Sequence, residues 1–166
     1  MNTVAVATTY VHTITYVTEK ILLSLKEIIR GSGLDPAKMS RQWITLEQGI
    51  GDWIKSHHLK QVHLEVFNPW NENLVCRWDL DVLYDYNGDG SLWADIFAIR
   101  YNIAKAGLSP SGCGYRITVS LNPGYPKAPG WGTCNLFSTD GFHRFSVGTT
   151  IGAQGLGASA AYWSRS

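Results

Sequence analysis

Asp85, Asn87 and Asp89 fall on alternate positions and Gly90 follows them, the spacing with which an EF-hand-like loop presents oxygen ligands to calcium. Such a loop is entered from a helix and closes with a bidentate glutamate at its twelfth place. Here Ile96 holds the twelfth place, Asp95 comes one residue early, and the residues before Asp85 alternate like a strand. The stretch from Asn87 to Gly90 therefore reads better as turn chemistry that carries a strand into a helix. A calcium-dependent β-rich binding module is the alternative reading. His57, His58 and His63 are close in sequence, but the first two sit at a helix end and the third on a strand's polar face, without metal-ligand spacing. Asp79 and Asp81 share a strand face, as carboxylates do for acid–base work, yet on the side expected to meet solvent. Ser, His and Asp all occur, but neither a G-x-S-x-G elbow nor a G-K-[ST] phosphate loop does. "GLGASA" near the end mimics a dinucleotide fingerprint without room for the helix and second strand that one needs. The reading is a protein without catalytic activity, metal or cofactor.

The totals point the same way. A chain of 166 residues is most simply one domain with a single core. Its net charge is +1 and it has no run of Lys and Arg, so the electrostatic attraction of a nucleic-acid binder is missing. Charged residues make up 16%, below the usual ~25%, and seven Trp and eight Tyr suit contact with another protein. Cys76, Cys113 and Cys134 form neither a disulfide framework nor a zinc pattern. "MNTVAVATTYVH" lacks the features of a secretory leader, and no stretch is apolar enough to span a bilayer. A cytoplasmic location without membrane contact is the expectation.

The elements that must carry any site follow from periodicity. "VAVATTYVHTITYV" alternates and is β-branched, so a strand is expected, followed by a helix from Thr18 to Gly31 or Gly33. A second helix begins with Asp35 as cap and Pro36 in the first turn; Met39, Trp43, Leu46, Ile50 and Trp53 form its apolar stripe. Val62, Leu64 and Val66, then Cys76, Trp78, Leu80 and Val82, define two strands that leave Arg77, Asp79 and Asp81 for solvent. A third helix runs from a Ser91 cap to Gly107, and "YRITVSL" is a further strand. Pro123, Pro126 and Pro129 forbid regular structure in the connector 122–130. The remaining segment is β-forming, rich in Gly, Ala and Ser, and carries Arg144 as its one formal charge between Gly141 and Ser164. Segregated helices and antiparallel strands argue for an α+β fold.

Taken in order, "YVHTITYVTEKILLSLKEIIRGSGLDPAK", "VHLEVFNP", "LVCRWDLDVLY", "GDGSLWAD", "AIRYNIAKAGLSPS", "PGYPKAPGW" and "STDGFHRFSVGTTIGAQGLGASAAYW" resemble the bacterial HORMA-domain proteins found beside cyclic-oligonucleotide synthases in antiphage (CBASS) operons. The resemblance implies a HORMA fold, three helices packed on an antiparallel sheet with a mobile C-terminal safety belt. The single domain 1–166 would divide into a core of about 8–122, the connector 122–130 and a belt of about 131–166. The belt would wrap a closure-motif peptide of another protein. The closed form would bind and activate a cGAS-like nucleotidyltransferase, and a Pch-type AAA+ ATPase would reset it. An added peptide strand needs a free sheet edge with pockets for alternate side chains. Arg116, Thr118 and Ser120 are the expected peptide contacts on the edge strand, with Phe145, Val147, Ile151, Tyr162 and Trp163 from the belt. The ATPase would engage a loose N-terminal strand through Thr3, Val4, Val6 and Thr8.

Overall fold

The computed structural model describes residues 3–165, with side chains from residue 10 onward. Its longest element is a helix, α1 (Thr3–Gly31), that packs against two further helices and against the sheet. The N-terminal stretch expected as a strand is the first half of this helix. Burial at the inner end of that stretch, continuous with the stripe that follows it, favours the helix. Ile14, Val17, Ile21, Leu25 and Ile28 recur at three- and four-residue steps, and none is more than 7% exposed. A β-branched residue costs only a few tenths of a kcal/mol in a helix, whereas burying its side chain contributes about 1.5–3 kcal/mol. No Gly, Pro, Asn or Asp interrupts residues 3–30, which is the sequence signal for one unbroken helix. Gly33, at φ 84°, turns the chain out of it.

The second expected helix is split. Asp35 Oδ1 accepts the Ala37 N–H at 2.9 Å, the one-turn α2 (Ala37–Arg41) follows, and a kink at Gln42 precedes α3 (Trp43–Lys55). Strands β1 (Leu59–Phe67) and β2 (Leu74–Tyr84) form the expected hairpin. The next helix starts later than its sequence suggests, because Trp93 and Ala94 pair as β3 with Gly152 and Ile151. Asp95, not Ser91, caps α4 (Ile96–Ala106), accepting the Ala98 N–H at 3.0 Å, and Gly107 ends it. Strands β4 (Gly114–Leu121), β5 (His143–Ala153) and β6 (Leu156–Ser164) complete an antiparallel sheet of order β3-β5-β6-β2-β1-β4.

Val62, Leu64, Trp78 and Leu80 meet the helices on one face of this sheet and are at most 1% exposed. The opposite face is not the solvated surface expected from alternation. His63 and Glu65 are fully buried, Asp79 is 3% exposed and Arg77 9%. Asp81 is half-buried and accepts the Gln61 side-chain amide at 2.7 Å. The strand order explains the cover. The chain leaves β4 at one edge and re-enters at β5 near the other, so residues 122–142 must travel round the sheet.

Candidate functional site at the free edge of the sheet

β4 pairs with β1 on one side only, so the backbone donors and acceptors of its other side are not used by the sheet. Facing that edge is the irregular segment 122–142, which makes no backbone hydrogen bond to β4 among the described residues. Between them lies a groove of about 600 Å³, lined by Ile117, Thr118, Val119 and Leu121 of β4, by Trp53, and by residues from Tyr125 to Cys134.

Three contacts hold the segment clear of β4 on the helix side. Trp53 Nε1–H donates to the Pro126 carbonyl at 2.7 Å, and the Trp131 ring meets Trp53 edge-on at 5.1 Å between centroids. Trp131 Nε1–H in turn donates to Thr45 O at 3.1 Å. Gly49 makes this dock possible, since a Cβ there would lie 2.2 Å from Trp131 Nε1. The segment then crosses to the polar face. Arg116 donates to Asn135 O, the Phe137 N–H donates to Glu65 Oε2 at 2.8 Å, and the Phe137 ring packs on Phe67 and over the Arg116 guanidinium. Residues 122–142 thus encircle the edge strand without filling its hydrogen bonds.

On the polar face a row of side chains runs from that edge to the C-terminal strand. Ser120 Oγ stands 2.7 Å from His63 Nε2, and His63 Nδ1 2.6 Å from Asp79 Oδ1. Asp79 Oδ2 accepts Trp163 Nε1–H at 2.9 Å and an Arg77 N–H at 3.2 Å. Arg77 also lies over the Trp163 ring, 5.2 Å from its centroid. Burial pushes the Asp79 carboxyl up, but hydrogen bonds from His63 and Trp163 and the charge of Arg77 outweigh it and hold the group below the ordinary carboxylate range. An ionised Asp79 can only accept, so His63 Nδ1 carries the proton. These distances match those of a hydrolytic Ser-His-Asp triad, which linear motifs could not nominate because the three residues come from three strands. The setting is different. Ser120 lies within a strand rather than on a turn that presents a nucleophile, His63 is fully buried, and Asp79 is committed to two further donors. The row joins strands.

The residues expected to share one guest are in two places. Arg116, Thr118 and Ser120 lie on β4; Thr118 is 7% exposed, lines the groove, and its Oγ1 has no hydrogen-bond partner. Phe145, Val147 and Ile151 are on β5 and Tyr162 and Trp163 on β6, with three and two strands respectively between them and β4. Tyr162 stacks between Trp78 and Phe145, at 4.8 and 5.1 Å, and so fastens the terminal hairpin to the core. The sparse charge of this region, suggestive of a travelling strap, is accounted for by burial: Ala158, Ala160 and Ala161 of β6 are at most 3% exposed. The sequence placed Trp53 in an apolar stripe and His63 on a strand's polar face but gave neither of them, nor Trp131, Gly49 or Glu65, a part in this site, because their contacts are with neighbours remote in the chain. Thr3, Val4, Val6 and Thr8 lie in the first turns of α1, in helical and not extended backbone, and their side chains fall outside the described ones.

The calcium-like loop has other work. Asp89 Oδ1 accepts both the N–H and the hydroxyl of Ser91, at 2.9 and 2.6 Å. The Asp85 N–H bonds Gly155 O, and the Gly155 N–H bonds Tyr86 O, tying the loop to the turn between β5 and β6. Among the described residues no three His, Cys, Asp or Glu are placed to hold a metal ion, and no helix is long and apolar enough to cross a membrane.

An α+β domain with a long central helix, a terminal hairpin on one side of the sheet and an encircled free strand on the other is the HORMA arrangement. The chain belongs to the family whose model is described as bacterial HORMA domain 2, which it matches over residues 1–166. Solved structures with the same fold include a chain of a mitotic checkpoint complex, 12% identical with a TM-score of 0.81, covering 93% of this chain and 99% of that one. Another is C. elegans HTP-1 bound to the HIM-3 closure motif, at 14% identity and TM-score 0.69, covering 89% and 88%. A third is a CdnC:HORMA complex of E. coli MS115-1, at 12% identity and TM-score 0.61, covering 94% and 89%. Comparison with curated protein sequences finds no match.

Proposed function

We propose that this chain is a non-catalytic, peptide-triggered switch of bacterial antiviral defence. A closure-motif peptide of another protein adds to β4 and is enclosed by residues 122–142. In that closed form the chain binds and activates a cGAS-like cyclic-oligonucleotide synthase. The observation that carries this reading is the unpaired edge of β4 facing a groove that the chain itself encircles. A peptide threaded there gains a backbone ladder and side-chain pockets together, and it leaves only when the strap opens. The closure motif bound to HTP-1 and the partner in the E. coli complex, both on the same fold, support the two partner classes. The β5–β6 residues serve as the strap's anchor, and Arg116, Thr118 and Ser120 as guest contacts.

The test is to pan a random peptide library on the chain, then add the selected peptide to the chain and a synthase from the same genomic neighbourhood. Cyclic-oligonucleotide output is expected to rise only with all three present. Failure of the library to yield any short extended consensus would overturn the reading.

Slow release of an encircled peptide calls for a remodeller, and we assign that role to a Pch-type AAA+ ATPase pulling on the N-terminal turns of α1. Tyr10 and Val11 are 38% and 50% exposed, and Tyr10 holds His57 at 3.0 Å, so deletion of residues 1–9 leaves the first described anchor in place. Peptide affinity is expected to stay within about twofold while ATP-driven release stops. If that truncation also lost the peptide, the N-terminus would be part of the binding fold and not a handle.

A further inference from the structure

The groove beside β4 holds one charge. Ile117 and Val119 pair with Leu64 and Val62, so they share the face that meets the helices, and there Trp53 and Trp131 complete an aromatic wall. Among the described residues Lys127 is the one charged side chain that lines the groove, and no carboxylate does. Arg116, the cation on β4 itself, is already matched: it bonds Glu65 Oε1 at 2.8 Å and Asn135 O. Lys127 is exposed and makes no ion pair among the described residues. Its backbone, by contrast, is pinned on both sides. The Pro126 carbonyl accepts Trp53 Nε1–H at 2.7 Å, and the Ala128 carbonyl accepts the Trp131 N–H at 3.3 Å. Pro126 and Pro129 further restrict the dihedral angles of this stretch. The ammonium is therefore tethered at one level of the groove, on a stem free to reach a guest.

Resting on the peptide-binding reading, we infer that the guest combines large apolar side chains with one Asp or Glu. The apolar ones pack on the wall of Ile117, Val119, Trp53 and Trp131, and the carboxylate pairs with Lys127. A guest that fills the groove removes water from around the ammonium, which is unfavourable unless the guest brings the opposite charge. The aromatic wall strengthens that attraction by lowering the local polarity, and a basic residue at the same level is repelled. The backbone ladder on β4 and the wall accept many apolar strands; Lys127 selects among them.

The experiment displays one seven-residue random library between fixed uncharged linkers, so that any carboxylate in it belongs to a side chain. It is panned on the wild-type chain, on Lys127→Met, which keeps most of the stem and loses the charge, and on Lys127→Glu, which reverses the charge. Thermal melts show that each variant is folded. Wild type is expected to enrich large apolar residues with Asp or Glu at one fixed position among them. K127M is expected to keep the apolar preference and lose the acidic one, and K127E to exchange it for Lys or Arg. A wild-type-selected peptide should bind K127M about fivefold more weakly, and K127E more weakly still. Its affinity for wild type should fall with added salt, and K127M should lose that dependence. Should wild type enrich apolar residues without an acidic one, or K127E return the same acidic residue, Lys127 does not read the guest, although the peptide-binding reading survives. Absence of any enriched peptide on all three proteins would remove the parent reading as well.

Discussion

Asp79→Ala should lower stability by about 3–5 kcal/mol, which for a chain of this size is a fall of about 10 °C in Tm. The expectation rests on three donors that converge on one buried carboxylate, His63 Nδ1–H, Trp163 Nε1–H and an Arg77 N–H. Truncation leaves all three without their acceptor, and the buried Arg77 loses the carboxylate it is paired with. Because Trp163 lies on β6, hydrogen exchange should rise first across residues 156–164, while α1 stays protected. The sign of the pH dependence follows from the same geometry. The carboxyl is held lower in the fold than its unfolded value of about 3.9, so its contribution is complete at neutral pH. That contribution fades as pH drops below about 4 and through the lower folded value. The alanine variant should lack this part of the acid limb. A variant within 1 kcal/mol of wild type, with an unchanged acid profile, would mean that the row contributes little to holding the terminal hairpin.

Gly49→Ala is expected to leave the domain folded yet release a captured peptide at least tenfold faster. Two effects oppose each other at this site. Alanine favours a helix interior by about 0.8–1 kcal/mol over glycine, which on local grounds stabilises α3. Its methyl, however, would sit 2.2 Å from Trp131 Nε1, and the indole must leave Gly49 and its bond to Thr45 O. That indole makes two of the three helix-side contacts that hold the strap away from β4, so its displacement loosens the enclosure. The measurement is peptide dissociation by fluorescence anisotropy beside a thermal melt. Faster release with an equal or higher Tm is the expected pair of results. Unchanged release would show that the Trp131 dock plays no part in retention. Trp131→Ala should reproduce the fast release, but with some loss of stability, because it removes apolar contacts as well.

The β1–β2 hairpin, the strand of β4 and the apolar stripe of α3 were legible because each is dictated by local periodicity against one core. The N-terminal half of α1 was misread for a physical reason. Val and Thr favour strands locally, whereas Thr13, Ile14 and Val17, at the inner end of that stretch, are buried at helical spacing. The missing turn residues between Thr3 and Arg30 held the correct answer. The start of α4 was misplaced because the pairing of Trp93 with Gly152 claims the residues that would otherwise cap it, and Gly152 lies about sixty positions away.

The edge strand itself was readable: Arg116, Thr118 and Ser120 alternate on a strand followed by a proline-rich stretch. The partners of those residues were not. Glu65 and Asp79 are charged residues on an alternating strand, and local pattern assigns such residues to solvent. Three-dimensional proximity alone supplies the Phe137 amide, the Trp163 indole and the Arg77 guanidinium that let them be buried. Composition likewise marked the last thirty residues as unusual, low in charge and rich in small side chains. Whether such a segment travels or packs depends on which edge of the sheet it joins, and that edge is chosen by tertiary contacts: Tyr162 stacked on Trp78, and Ala158 and Ala160 buried in the core beside β2. The sequence by itself determined which strand has a free side; the tertiary structure decided what encircles it, because enclosure depends on distant residues meeting and not on any residue's own preference.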